Sequence, residues 1–84
     1  MTYKISIRRK AQKQLIKIPT SDYKKVKAAI YDLANNPRPS ESKKLKGRSG
    51  WRIRQGNYRV IYEIQDEQLI VLILDIGDRK DIYR

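Results

Sequence analysis

The sequence predicts an α+β fold, a small, twisted and mostly antiparallel β-sheet with an N-terminal helical hairpin packed on one face. Apolar residues alternate near the N-terminus, recur at helical spacing up to about residue 34, and alternate again after residue 50. The predicted order is β-α-α-β-β-β, and the helical hairpin supplies the long crossover that a parallel pairing of the first strand requires. Because the chain has 84 residues, we expect residues 1–84 to form one domain.

The N-terminal third follows from the spacing of its apolar residues. Alternation from Tyr3 to Ile7 predicts the first strand. The next apolar residues recur at helical spacing and predict a helix from about Arg9 to Ile18, which Pro19 ends. The segment Thr20–Asp22 offers side-chain N-caps for a second helix, which Asn35-Asn36-Pro37 ends. That helix has an apolar stripe formed by Tyr23, Val26, Ile30 and Leu33.

The stretch from Trp51 to Tyr62 predicts a β-hairpin. Gly56-Asn57 suits a two-residue turn, which places Arg54 directly opposite Arg59. Alternation then puts Trp51, Ile53, Val60 and Tyr62 on the core face and Arg52, Arg54 and Arg59 on the opposite face. Directly opposed like charges destabilise a sheet, so this pairing predicts an anion between the two arginines. For any single arginine, the alternative interpretation is a solvated strand face that discourages edge pairing.

The other predicted strands flank this hairpin. Residues Lys43 to Gly47 form a short basic strand or turn that Leu45 anchors. The segment from Gln68 to Ile76 contains six consecutive apolar residues, which predicts a central strand covered on both faces. Gly77 then allows a sharp exit from this strand. Three of its residues are expected on the arginine side of the sheet, where a partner segment or the C-terminal residues would cover them: Ile70, Leu72 and Leu74.

The charge balance favours a polyanionic partner. The 20 Lys and Arg residues against 9 Asp and Glu residues give a net charge of +11, which favours nucleic acid, an acidic protein or an anionic membrane surface. The chain has no cysteine and no histidine, which excludes disulfides, thiolate metal sites and the commonest general base. No metal or cofactor site is predicted. No apolar run reaches membrane-spanning length and no signal-peptide core is evident, so we expect a cytoplasmic protein that does not bind membranes.

Three segments resemble the RelE/ParE toxin superfamily of toxin–antitoxin systems: Leu45–Gly47, WRIRQGNYRVIYEI from Trp51 to Ile64, and GDRKDIY from Gly77 to Tyr83. The resemblance covers nearly the whole chain. It is closer to the RelE-type mRNA interferases, which cleave messenger RNA in the ribosomal A site, than to ParE-like members, which poison DNA gyrase. It implies a cognate antitoxin, the ribosome and messenger RNA as partners. We expect the antitoxin to wrap the toxin with an acidic or amphipathic segment.

The resemblance also implies roles for single residues. Arg52 and Arg54 would bind and activate the scissile region, and Arg59 and Arg79 would stabilise charge on the phosphorus. Tyr83 would orient or deprotonate the attacking ribose 2′-hydroxyl, or stack on a base, in a reaction without metal or cofactor. Further candidate RNA contacts are Lys43, Lys44, Lys46, Arg48 and Lys80.

One departure from the family concerns the general base. Lysine is common in the family at the positions of Arg52 and Arg54, and arginine does not release its proton in practice. The base is therefore left to Tyr83, Lys46, Lys80, a substrate group or a ribosomal group. Two other functions stay open: a gyrase-poisoning toxin on the same fold, and a non-catalytic basic RNA-binding module whose affinity depends steeply on salt.

Overall fold

The computed structural model describes residues 2–78, which form two helices on one face of a five-stranded sheet. The strand order is β1-β5-β4-β3-β2, with β1 parallel to β5 and all other neighbours antiparallel. This arrangement confirms the predicted α+β fold, and the helical hairpin is the crossover between β1 and the other strands. The elements are β1 (Lys4–Ile7), α1 (Arg9–Ile16), α2 (Thr20–Asp32), β2 (Lys43–Lys44), β3 (Trp51–Gln55), β4 (Tyr58–Gln65) and β5 (Ile70–Asp78).

The core lies between the helical hairpin and one face of the sheet. The predicted stripe of α2 is in place, since Val26, Ile30 and Leu33 are buried and Tyr23 packs against them. The sheet contributes alternate residues of three strands: Ile53, Val60, Tyr62, Val71, Ile73 and Ile76. Burying this continuous apolar surface is the main driving force for folding. It also fixes which face of each strand is left for function.

The turn between the helices differs from the prediction. Helix α1 ends at Ile16 rather than Ile18, although Ile18 is buried. The expected side-chain cap within Thr20–Asp22 is wrong, because Pro19 is the N-cap of α2 and no side chain caps the helix. The carbonyl of Pro19 accepts hydrogen bonds from the backbone N–H groups of Asp22 (3.0 Å) and Tyr23 (2.8 Å). Proline fixes its own φ, so it starts the helix without a capping side chain.

The central strand β5 begins and ends later than expected. It starts at Ile70 because residues 66–69 form a turn, and it continues to Asp78. The expected exit at Gly77 is therefore wrong, since Gly77 lies within the strand, opposite Arg59. The ladder with β4 shifts at a β-bulge, where Ile61 pairs with Asp75 and Tyr62 with Ile73. The bulge explains how Ile73 and Ile76, three residues apart, both reach the core.

Helix α1 covers the part of β5 that extends past the end of β1. The side chain of Gln14 makes two hydrogen bonds to this part of β5. Its Oε1 accepts a hydrogen bond from the backbone N–H of Ile76 at 2.8 Å, and its Nε2 donates one to Oδ1 of Asp75 at 2.7 Å. Lys10 Nζ lies 3.6 Å from the same carboxylate oxygen. These contacts satisfy an edge N–H that has no strand partner. They therefore hold α1 across the end of the sheet.

Candidate nucleic-acid interface

A tight hairpin between β3 and β4 positions the predicted arginines. Gln55 pairs with Tyr58 and Arg54 with Arg59, so Gly56-Asn57 forms the two-residue turn as predicted. Gly56 has φ +60, whereas Asn57 is not among the residues with positive φ. Glycine at the first central position is typical of a type II′ turn, whose twist matches that of the flanking strands. The turn therefore fixes the register that places the arginines.

Three arginines share the outer face of this hairpin, which we call the arginine face and define by Arg52, Arg54 and Arg59. Arg54 and Arg59 are directly opposed, and Arg52 is opposite Ile61. In a two-residue hairpin the second pair from the turn is a non-hydrogen-bonded pair, with Cα atoms only about 4.5 Å apart. The register thus places two arginines side by side on neighbouring strands, on the face opposite the helices.

Arg59 is the most deeply placed of these cations. Its exposed fraction is 7%, and it is the one buried charged residue in the part of the chain that the structure describes. On its other side lies Gly77 of β5, which has no side chain to occupy the space beside it. Arg54 is exposed and Arg52 is half-buried. A cation removed from water interacts more strongly with an anion, so Arg59 is the strongest candidate on this face for a phosphate contact.

The predicted lysine contacts divide between the two sides of the sheet. Lys43 is opposite Arg52 and shares the arginine face, whereas Lys44 is opposite Trp51 and lies on the helix side. Lys46 and Arg48 are exposed in the connection between β2 and β3. The structure therefore brings Lys43 to the arginine face and not Lys44. Three further predicted site residues lie outside the described residues: Arg79, Lys80 and Tyr83.

The connection from α2 to β2 is fastened to the sheet by contacts that the sequence analysis missed. Both guanidinium nitrogens of Arg38 donate to the carboxylate of Asp66, at 3.3 and 2.8 Å, and Tyr3 Oη donates to Asp66 Oδ1 at 2.6 Å. The guanidinium also stacks on Trp51, 5.4 Å from the ring centroid. These partners are distant in sequence, so no local pattern could have shown them.

The same contacts shift three pKa values. Hydrogen bonds from Arg38, and then from Tyr3, lower the pKa of Asp66. The hydrogen bond to Asp66 raises the pKa of Tyr3, and it also raises the pKa of Arg38. All three groups therefore keep the charge states that form this cluster over a wide pH range. It anchors the segment that leads into Lys43 and so into the arginine face.

A separate buried contact holds the start of this connection. Tyr62 is fully buried, and its hydroxyl donates to the backbone carbonyl of Pro37 at 2.7 Å. Burial raises the pKa of the Tyr62 phenol to about 12. The phenol is therefore neutral and a hydrogen-bond donor at any physiological pH. Its role is to hold the loop and not to transfer protons.

A groove of about 450 Å³ lies between α2 and β3, on the helix side of the sheet. Its lining is mixed, with Lys25, Asp32, Glu41 and Ile53 among its residues. Within residues 2–78, no three Asp, Glu, His or Cys side chains group in a way that would hold a metal ion. None of the helices in this range is long and apolar enough to cross a membrane.

Comparison with known proteins shows the family. Residues 5–83 match the family model described as the ParE toxin of type II toxin–antitoxin systems, parDE. The chain is 34% identical to "Putative toxin RelE1" of Methanocaldococcus jannaschii, over 100% of this chain and 98% of that protein. It is 25% identical to "mRNA interferase toxin RelE" of Escherichia coli, over 99% of this chain and 92% of that protein.

Solved structures agree with this assignment. The RelE–RelB complex of Pyrococcus horikoshii contains a chain that matches with a TM-score of 0.84 and 30% identity, over 94% of this chain and 97% of that one. The toxin–antitoxin complex RelBE2 of Mycobacterium tuberculosis matches with a TM-score of 0.83 and 28% identity, over 94% of this chain and 100% of that one. The chain belongs to the ParE and RelE family of type II toxin–antitoxin systems, and it is a RelE-type toxin.

Proposed function

We propose that this toxin is a ribosome-dependent endoribonuclease that cuts messenger RNA in the A site. The observation that carries the proposal is the direct pairing of Arg54 with the buried Arg59 on one face of the sheet. Guanidinium forks on neighbouring strands suit the oxygens of a phosphodiester. The names of two relatives, which call them mRNA interferases, support the same activity.

The proposed reaction is attack by the ribose 2′-hydroxyl on the adjacent phosphorus, with the 5′-oxygen as leaving group. Negative charge grows on the phosphoryl oxygens in the transition state, and Arg59 is placed to stabilise it. Arg52 and Arg54, with Lys43 beside Arg52, would hold the flanking phosphates in register. Arg79 and Tyr83 are proposed to complete the site, as a second charge-stabilising group and as the group that orients or deprotonates the nucleophile.

Proton transfer from the 2′-hydroxyl needs a group other than the arginines. Arginine stays protonated, so the arginine face stabilises charge but does not accept the proton of the 2′-hydroxyl. We assign that step to Tyr83, with Lys46, Lys80 and groups of the substrate or the ribosome as the other candidates. A site that lacks a strong base depends on alignment of the nucleophile for its rate. This dependence is the physical reason to expect a ribosome-bound substrate.

The proposed cellular partner is an antitoxin that covers the toxin while it is inactive. The outer face carries Ile61, Ile70 and Leu72 beside the arginines, and these residues lie outside the core cluster. An amphipathic or acidic segment would cover both kinds of surface. The RelE–RelB and RelBE2 structures, which this chain resembles, are toxin–antitoxin complexes and support an antitoxin partner. We further propose that residues 1–84 act as one domain in the cytoplasm, where translating ribosomes are found.

Gyrase inhibition is the second candidate, because the matching family model describes a ParE toxin. One experiment separates the candidates: purified toxin is incubated with ribosomes programmed with a defined message, with the same message alone, and with gyrase and relaxed plasmid. The proposal predicts cuts within the A-site codon, little cutting of free message, and normal supercoiling. Intact message on ribosomes with blocked supercoiling would establish the gyrase function. Binding of RNA without any cut would establish a non-catalytic module.

A further inference from the structure

The last part of β5 has a neighbouring strand on one side only. Strand β1 ends at Ile7, which pairs with Ile73, so within residues 2–78 the part of β5 beyond Ile73 has β4 as its one strand neighbour. The ladder with β4 also shifts there, at the bulge in which Leu74 is the extra residue. Strand pairing therefore fixes this end of β5 less firmly than its first half, although the end contains Gly77, the neighbour of Arg59.

The side-chain amide of Gln14 takes the place of the missing strand at this edge. Its Oε1 accepts a hydrogen bond from the N–H of Ile76 at 2.8 Å, as the carbonyl of a neighbouring strand would. Its Nε2 donates to Oδ1 of Asp75 at 2.7 Å, so the amide cannot turn over without losing both bonds. Lys10 Nζ adds a cation from α1, 3.6 Å from the same oxygen. Gln14 is held in its turn, because its neighbour Leu15 is buried in the core.

The bond to Ile76 decides how the next residue of β5 faces the arginine face. The N–H groups of successive strand residues point to opposite edges, so an Ile76 N–H directed at α1 turns the N–H of Gly77 towards β4. On β4, Gly77 is paired with Arg59. Gln14 thus sets the orientation of the residue beside Arg59 from the other edge of the strand. It also sets the point from which the chain continues to Arg79, two residues after Gly77.

We propose, resting on the proposed function, that Gln14 is a positioning residue for phosphodiester cleavage. It acts on the message through β5, by holding Gly77 beside Arg59 and by fixing the start of the segment that carries Arg79. Alignment of this kind governs the chemical step, and a misplacement of about 1 Å can slow a reaction by about 10²-fold. Affinity for the ribosome should depend little on Gln14, because its amide is used within the protein.

The test breaks this contact and then restores it with the donor and the acceptor exchanged. Gln14→Glu keeps an acceptor for the N–H of Ile76 but sets a second carboxylate against Asp75. Adding Asp75→Asn restores the bond, because the new amide on β5 can donate to the new carboxylate on α1. This double variant also has the net charge of wild type. Gln12→Glu is the matched control, since Gln12 lies on the same helix but its Nε2 donates to the carbonyl of Ile7 at 2.9 Å.

Cleavage is measured in single turnover over a range of concentrations of programmed ribosomes. Gln14→Glu should lower the saturating rate by about 10–100-fold, with a half-saturating concentration within about twofold of that of Gln12→Glu. The double variant should return to within about threefold of wild type. Equal saturating rates for Gln14→Glu and Gln12→Glu would overturn the proposal, and so would a double variant as slow as Gln14→Glu. A loss confined to the half-saturating concentration would overturn it in favour of a contact with the ribosome.

Amide hydrogen exchange measures the same contact without cleavage. In folded protein, the N–H of Gly77 should exchange at least about tenfold faster in Gln14→Glu than in Gln12→Glu, and at the wild-type rate in the double variant. Unchanged exchange would overturn the proposal whatever the cleavage rate. Failure of the proposed function would show separately, as intact message with wild-type toxin despite faster exchange in Gln14→Glu. If Gln14→Glu does not fold, Gln14→Met removes both bonds without adding charge, and the same outcomes decide.

Discussion

At the residue scale, the proposed catalytic face centres on Arg59, which stands between Arg54 of β3 and Gly77 of β5. The pairing of Arg54 with Arg59 follows from a two-residue turn and the period of a strand, and both are local. Arg59 also stands opposite Gly77, which becomes its neighbour only because β5 pairs with β4 past the bulge. That neighbour is 18 residues away in sequence. A local pattern could not show it.

Replacing Arg59 tests the strongest phosphate contact. Arg59→Ala should slow single-turnover cleavage on programmed ribosomes by roughly 10²–10³-fold, since it removes a donor that acts mainly on transition-state charge. Arg59→Lys keeps the charge but loses the two-pronged guanidinium group, so its cleavage rate should lie between those of wild type and Arg59→Ala. Lys4→Ala, on the same face at the far edge of the sheet, serves as the control. An Arg59→Ala protein with the control's rate would show that Arg59 does not meet the scissile phosphate.

Tyr83 lies outside the described residues, so its role rests on the family resemblance and needs two variants. If the hydroxyl moves the proton, Tyr83→Phe should lower the single-turnover rate by about 10²–10⁴-fold with little change in ribosome affinity. If the ring stacks on a base instead, Phe should work almost as well as Tyr, and Ala should not. A Phe variant at nearly wild-type rate would move proton transfer to Lys46, Lys80 or the ribosome.

At the scale of elements, the sequence predicted which segments are helices and strands better than where they end. Helix α2 was predicted from the strong periodicity of its apolar residues, and the β3–β4 hairpin from the specific turn at Gly56-Asn57. The bulge in β5 was missed because it lies in a run of consecutive apolar residues, in which no polar residue marks a change of face. The N-cap of α2 was missed because Pro19 itself supplies the accepting carbonyl. Such details depend on tertiary pairing and backbone geometry.

The contact between Tyr62 and Pro37 should be measurable as stability. Tyr62→Phe leaves a buried carbonyl without its donor and should lower the free energy of unfolding by about 1–3 kcal/mol. Tyr31→Phe, at a half-exposed position, should change it by no more than about 0.5 kcal/mol. Denaturant unfolding near pH 8 gives both values. Equal stability of wild type and Tyr62→Phe would show that the contact contributes nothing.

The same pair predicts a dependence on pH. The pKa of Tyr62 is raised from 10.0 to about 12 in the folded protein, so the folded state holds its proton more tightly than the unfolded chain does. The contribution of the hydroxyl is therefore complete below about pH 10 and is lost as the pH rises towards 12. The difference in unfolding free energy between wild type and Tyr62→Phe should shrink across this window. A constant difference would contradict the burial of the phenol.

At the scale of the whole molecule, composition narrowed the possible catalytic side chains before any fold was known. The absence of histidine and cysteine left Lys, Arg, Tyr, Asp and Glu for catalysis, and the net charge of +11 favoured a polyanionic partner. The structure places the arginine face and the helical hairpin on opposite sides of the sheet, which composition alone could not show. The composition indicated the partner class, and the topology leaves the proposed catalytic face on the side away from the helices.

The central claim is that the toxin makes the ribose 2′-hydroxyl of a ribosome-bound message attack its own phosphodiester. The most direct measurement compares two messages on programmed ribosomes, identical except for one 2′-deoxy nucleotide at the mapped cut in the A-site codon. The account predicts rapid cutting of the all-ribose message, a 2′,3′-cyclic phosphate or its hydrolysis product at the new end, and no cut at the deoxy position. Equal cutting of both messages at that position would contradict the mechanism, and the absence of any cut in the all-ribose message would contradict the activity itself.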